Sequence, residues 1–224
     1  MKLGILFSGG KDSYLAMHLA SEDHEISCLL TIKSANKDSW MFHTPAITWT
    51  KLQAESLGIP QVIQETEGIQ DSELDDLVTL IKKAKKEHSI QGIVTGALAS
   101  TYQTTRIQKI CNKLNLWCFN PLWQLSQEKL LEKLQAYNII SIITGIAAEP
   151  FDESWLGKEL DSSTINDLLL YSKKYRINPA GEGGEFESLV INAPMFSKKL
   201  EVLSSKIYYS NFSGRLEIKE AKLK

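Results

Sequence analysis

Ser8-Gly9-Gly10-Lys11-Asp12-Ser13 follows directly on the apolar run 3–7. Paired glycines let the backbone take dihedrals closed to other residues and bring its N–H groups close to an anion, and a helix starting at the same point adds the positive end of its dipole. Lys11 adds a full positive charge. This combination suits the holding of a phosphate tail. The lysine follows the glycine pair at once, without the earlier glycine of the G-x-x-x-x-G-K-S/T loop, so a cut of ATP different from that of the common nucleotide hydrolases is expected.

Gly181-Glu182-Gly183-Gly184-Glu185-Phe186-Glu187-Ser188 packs three carboxylates and three glycines into eight positions. Like charges this close call for a metal, a cationic ligand or solvent, and the glycines point to a backbone fitted tightly around something. An acidic, solvated turn is the plain alternative. Between the two segments lies Thr95-Gly96-Ala97-Leu98-Ala99-Ser100, with Tyr102, Gln103 and Arg106 just beyond it. Tyr102 and Arg106 stand one helical turn apart, so both point to one side, where an arginine can grip a phosphate or a carboxylate. His43 sits in the loop after the second strand, without a partner at metal-ligand spacing.

The elements that position these residues follow from periodicity. β-rich apolar segments at 3–7, 26–32, 61–63, 92–95 and 116–119 alternate with amphipathic stretches at 14–20, 48–57, 71–88 and 101–114. Gly58-Ile59-Pro60 ends the second of those helices. The alternation predicts an α/β fold, a doubly wound, Rossmann-like parallel sheet of five strands, with ligands beyond the carboxyl ends of its strands. Both the loop at 8–13 and Gly96-Ala97 fall at such ends. After Pro121-Leu122-Trp123 the pattern changes to a helix at 127–137, a strand at 139–146, a helix at 163–174 and half-exposed strands at 188–191, 200–209 and 215–219. We therefore expect an ATP-binding domain over residues 1–120 and a smaller α+β substrate-binding subdomain over 121–224.

Composition narrows the function classes. A chain of 224 residues, 43% hydrophobic and 23% charged, carries a net charge of −2 and so has no general attraction for nucleic acid. Lys82, Lys83, Lys85 and Lys86 lie opposite the apolar stripe Leu74, Leu77, Val78 and Ile81 and read as a solvated helix face. The apolar stretch 139–148 is about half of the ~20 residues that span a bilayer, so no membrane partner is expected. Cys28, Cys111 and Cys118 are odd in number and widely spaced, which fits reduced thiols and a cytoplasmic protein. A homodimer is compatible with the sequence, which does not fix the oligomeric state.

The loop at 8–13 resembles the pyrophosphate loop of the PP-loop ATP pyrophosphatases. Together with GALASTYQTTR (96–106) and GEGGEFES (181–188), the chain resembles the diphthine-ammonia ligase family from residue 3 to about 194. His43-Thr44-Pro45, Gln53-Ala54-Glu55, Gly58-Ile59-Pro60, Pro121-Leu122-Trp123 and Trp155-Leu156-Gly157 also look like that family's pattern. Departures are mild: Ser188 stands where threonine is usual, Lys158 where arginine is, and Gln108 where glutamate is frequent.

The resemblance implies ATP-dependent amidation of diphthine on translation elongation factor 2, through an adenylated carboxylate, with ammonium as nitrogen donor and Mg²⁺ beside ATP. It implies that Ser8, Gly9, Gly10, Lys11, Asp12, Ser13, Gly96 and Ala97 bind ATP. Lys11 then stabilises charge at the α-phosphorus, and Asp12 either holds Mg²⁺ or caps the helix. Glu182 and Glu185, with Lys11 and Asp12, are the expected catalytic residues; His43, Tyr102, Gln103, Arg106, Gly183, Gly184, Glu187 and Ser188 are the expected acceptor-binding ones. The glutamates have two candidate tasks, deprotonating ammonium and attracting the trimethylammonium of diphthine. Aromatic faces also attract such cations, and Trp40, Trp49, Trp123 and Trp155 are candidates beside their plainer core reading. The rival readings are a PP-loop enzyme adenylating an RNA base and a non-catalytic nucleotide sensor.

Overall fold

The computed structural model describes residues 1–34, 46–67 and 70–224, the side chains of 70–72 excepted. Strands β1 (Lys2–Leu6), β2 (Glu25–Ser34), β3 (Gln61–Thr66), β4 (Gly92–Val94) and β5 (Trp117–Phe119) form one sheet in the order β3-β2-β1-β4-β5. Every pairing in it is parallel. The connections carry α1 (Lys11–Ser21), α2 (Thr50–Leu57), α3 (Gln70–His88) and α4 (Thr101–Lys113).

Side-chain alternation along the strands explains why both faces need cover. Leu3, Ile5 and Leu29 join α1's Tyr14, Leu15 and Met17 in one core. Cys28, Leu30, Ile32 and Ile93 turn to the other face, against Leu77, Leu80 and Ile81 of α3 and Ile107 and Ile110 of α4. The four lysines of α3 are exposed, as the solvated-face reading expects. Gly58 closes α2 in the left-handed conformation at φ 65°.

The second sheet is antiparallel, in the order β7-β6-β9-β8, from β6 (Ile140–Ala147), β7 (Phe186–Asn192), β8 (Leu200–Ser210) and β9 (Ser213–Leu223). Helices α5 (Gln127–Ala136) and α6 (Ser162–Tyr175) accompany it. The two units share an interior: Leu130, Leu131 and Leu134 of α5 and Val190 of β7 belong to the same core as Leu3 and Ile5. Strand β7 thus carries the end of the acidic glycine segment up against the first sheet. Among the described residues no helix is long and apolar enough to cross a membrane.

Candidate active site

Strand order reverses between β1 and β4, and the loops leaving their carboxyl ends are 8–13 and 95–100. In an open α/β sheet this is where a ligand crevice forms, and a cavity of about 500 Å³ opens there. Ser8, Gly10, Lys11, Asp12 and Ser13 make one wall. Thr95, Gly96, Ala97, Leu98, Ser100 and Gln103 make a second. Gly181, Glu182, Gly184, Phe186, Glu187 and Ser188 make a third, and Leu30, Ile32, Ile47 and Ile107 add apolar lining, three of them from the core cluster on the α3 and α4 face of the sheet. Segments more than seventy residues apart in sequence therefore share one pocket.

The first wall is an anion cradle by construction. Helix α1 begins after Gly10, which has no side chain to cap it, so beyond the Lys11 N–H its first turn points backbone donors toward a ligand. Gly9 has φ +80°, and a Cβ there would lie 2.4 Å from Gln53 Oε1, so only glycine fits. Ser8 donates its hydroxyl to Ser13 Oγ at 3.2 Å, and Ser13 donates to the Gly10 carbonyl at 3.0 Å. The Lys11 N–H donates across the cavity edge to Ser188 Oγ at 3.2 Å.

Lys11 is 3% exposed, with Nζ 2.8 Å from Asp12 Oδ2 and 5.2 Å from the centre of the Phe186 ring. Desolvation strengthens this pair and would penalise either charge left alone. Asp12 Oδ1 is buried and has no hydrogen-bond partner among the described residues. Glu182 lies close enough to feel both: burial, and next the Asp12 charge, push its carboxyl up to about 7 against the opposing pull of Lys11, and Glu185 adds to the rise. Burial alone pushes Glu187 up to about 7.

Among the described residues no three His, Cys, Asp or Glu side chains form a metal cage. The orphaned Asp12 oxygen beside Glu182 nonetheless suits Mg²⁺, which is commonly held by one or two carboxylates together with phosphate oxygens and water.

The second wall touches the first through Gly96. A Cβ on that residue would stand 2.8 Å from Ser13 N and 2.9 Å from the Asp12 carbonyl carbon, so the loop packs backbone to backbone against the cradle. Ser100 caps α4, accepting the Gln103 N–H at 3.3 Å. Gln103 reaches the cavity, whereas Tyr102 and Arg106 are not in its lining. The Arg106 guanidinium lies 3.3 Å from the centre of the Tyr102 ring and donates to the Tyr102 carbonyl, also at 3.3 Å. The expected shared side is real, and the two residues meet each other on it.

Glu185, expected to be catalytic, belongs to the loop that forms the third wall but does not line the cavity. It is buried, outside the cavity lining, and its Oε1 accepts the Asn178 N–H at 2.8 Å and Asn178 Nδ2 at 2.6 Å, while Oε2 accepts the Gly183 N–H at 2.7 Å. A carboxylate so engaged organises the loop from behind. Gly183 gives its N–H to that bond and also stays out of the lining, whereas Gly184 and Ser188 belong to it.

His43 and Trp40 lie outside the described residues. Trp155 is buried in the second sheet's core and Trp49 packs against that core, and neither they nor Trp123 line the cavity. Lys158 is engaged with Asp167 at 3.3 Å and with the Trp155 ring at 4.6 Å, and Gln108 with Asn112 at 2.9 Å, both away from the pocket. Sequence reasoning missed Phe186 as the ring beside Lys11, although it lies within the acidic glycine segment, while Thr95 lines the cavity as the first residue of the segment singled out there.

Comparison with known proteins gives the same grouping. The profile described as the diphthamide synthase N-terminal domain matches residues 1–117, and that of the diphthamide synthase C-terminal domain matches 126–223. The chain is 35% identical to the diphthine–ammonia ligase of Bos taurus, over 92% of this chain and 85% of that one. The Homo sapiens diphthine–ammonia ligase gives the same identity and coverage. The Schizosaccharomyces pombe protein of that name is 34% identical over 96% of this chain and 38% of its own length.

Proposed function

The chain belongs to the diphthine–ammonia ligase family, and on that premise we propose that it joins AMP to the carboxylate of diphthine on translation elongation factor 2 and then replaces the AMP with ammonia. The observation that carries this reading is that one cavity unites an uncapped glycine-lysine cradle with two carboxyls titrating near neutrality. A phosphate site alone fits a sensor; the acids beside it fit a reaction that handles a cation and a proton.

The chemistry follows from the arrangement. ATP lays its β- and γ-phosphates against 8–13, with its adenine toward the apolar lining at Leu30, Ile32 and Ile107. An oxygen of the diphthine carboxylate attacks the α-phosphorus, the bond to the bridging oxygen breaks, and pyrophosphate leaves. Lys11, desolvated and fixed by Asp12, stabilises the charge that develops there. Helix-end contacts alone are worth only about 0.3–2 kcal/mol, so the lysine carries the larger share among the protein groups. Asp12, through its unpartnered Oδ1, would hold Mg²⁺, which when bound would neutralise phosphate charge.

Ammonium is not a nucleophile until it loses a proton. Glu182, poised near neutral pH beside the phosphate loop, accepts that proton. Ammonia then adds to the acyl carbon, AMP departs with the bonding pair, and a second proton is lost as the amide forms. Glu187 supplies negative charge for the trimethylammonium group, and Gly184 and Ser188 shape the wall beside it. A cytoplasmic location and direct contact with the elongation factor belong to the same reading.

The test is a mass measurement of diphthine-bearing elongation factor after incubation with the protein, ATP, Mg²⁺ and ammonium. Replacement of a hydroxyl by an amino group, dependent on all four, is expected. An unchanged factor with intact ATP would favour a sensor and overturn the reading.

A further inference from the structure

Gln53 lies on α2, outside the cavity lining, yet it is 0% exposed and its amide joins the backbone adjoining two of the three walls. Nε2 donates to the Gly9 carbonyl at 2.9 Å and to the Val190 carbonyl at 2.7 Å. The Val190 N–H itself donates to the Gly9 carbonyl at 2.9 Å, so loop 8–13 is stitched to β7 and the amide locks the stitch. Gly9 immediately precedes the N-cap of α1, and Val190 lies two residues beyond Ser188, whose hydroxyl takes the Lys11 N–H. We infer that Gln53 is a positioning residue that holds the phosphate loop and the acidic acceptor loop in one register, so that an adenylate formed at the first is captured at the second. The inference rests on the two-step reaction proposed above.

Several facts distinguish this from ordinary packing. An NH₂ group is the neutral side-chain donor that can serve two carbonyls at once. Its own carbonyl oxygen Oε1 is buried without a hydrogen-bond partner among the described residues, an arrangement that a residue kept only for stability would not need. That same oxygen stands 2.4 Å from where a Cβ of residue 9 would fall, so the amide packs against a left-handed glycine and leaves no room for a side chain there. Displacing loop 8–13 by a fraction of an ångström moves Lys11 relative to Glu182, and misplacements of about 1 Å can cost on the order of a hundredfold in rate.

The experiment measures, for the wild type and Gln53→Met, pyrophosphate released and amide formed per unit time on the elongation factor, alongside thermal melting. The expected result is a pyrophosphate-to-amide ratio near one in the wild type and raised severalfold in the variant, because adenylate hydrolyses before ammonia reaches it. A variant with unchanged rate and ratio overturns the inference. So does a fall in both products in equal proportion, which is what loss of folded protein alone produces. Gln53→Glu gives an independent reading: its carboxylate opposes two carbonyls when ionised and donates one hydrogen bond when protonated, so its ratio, relative to wild type at the same pH, improves as pH falls. A pH-independent ratio in that variant also overturns the inference. A wild type that forms neither product contradicts the proposed reaction itself.

Discussion

The backbone N–H of Lys11 donates to the hydroxyl of Ser188 at 3.2 Å, across 177 positions of sequence. The first residue of the helix behind the phosphate cradle is thereby tied to the last residue of the acidic glycine segment. The bond makes the two motifs a single site, and the consequences differ for each residue around it.

Lys11→Ala removes a buried cation while leaving Asp12 beside Glu182. Adenylation should fall on the order of a hundred- to a thousandfold, the usual cost of one preorganised stabilising group. Circular dichroism should show an intact fold, because the side chain ends in a ligand cavity. Pyrophosphate release at the wild-type rate would remove Lys11 from the reacting centre.

Glu182 and Glu185 should separate cleanly. Glu182→Gln keeps shape and loses the proton acceptor, so melting at pH 7 is not lowered while amide formation drops by roughly a hundredfold. Glu185→Ala strands the donors at Asn178 and Gly183 and should lower stability by about 1–3 kcal/mol, with loss of activity following the disordered loop. Melting curves of the two variants, read beside their rates, check the distinction.

Stability should depend on pH through Glu182 and Glu187. Both carboxyls are raised from 4.5 to about 7 in the folded protein, so the folded state holds more protons than the unfolded chain between those values. Their contribution is complete below about pH 4.5 and is lost as pH rises to about 7. Melting of the ligand-free protein should therefore show this loss, and Glu187→Gln should reduce it. Ammonium or tetramethylammonium binding near pH 7 should release protons, visible as a buffer-dependent heat in titration calorimetry.

Gly96→Ala sets a Cβ against the backbone of Ser13, 2.8 Å away, where no side chain can yield. Overpacking of this kind costs about 1–3 kcal/mol. Nucleotide affinity should fall together with melting temperature, since the strain is relieved by moving the second wall off the cradle. Equilibrium binding of a non-hydrolysable ATP analogue measures it.

Much of this was legible in the chain. Five β-rich segments separated by amphipathic ones led to the parallel sheet, and glycines just after strands marked two of the three walls. The acidic segment announced a ligand, but its division of labour did not show: whether a carboxylate faces the cavity or the donors of its own loop depends on the turn at Gly181 and Gly184, which sequence spacing does not fix. Arg106 and Tyr102 were rightly given one side of a helix, yet their stacking on each other is a tertiary outcome. Gln53 did leave a signal. Thr50, Gln53, Ala54 and Leu57 follow helical spacing, and three of them are buried with the amide among them, so a polar residue on an inward stripe was there to be noticed. What it binds lies 44 and 137 residues away, beyond the reach of local pattern.

The most direct test of the central claim, that one pocket both cleaves ATP at the α-phosphorus and amidates the acceptor, is product identification with ammonium and diphthine-bearing elongation factor present. The account predicts AMP and pyrophosphate in equal amounts, matched by the amide formed and lost together in Lys11→Ala. ADP and phosphate as the products would contradict it.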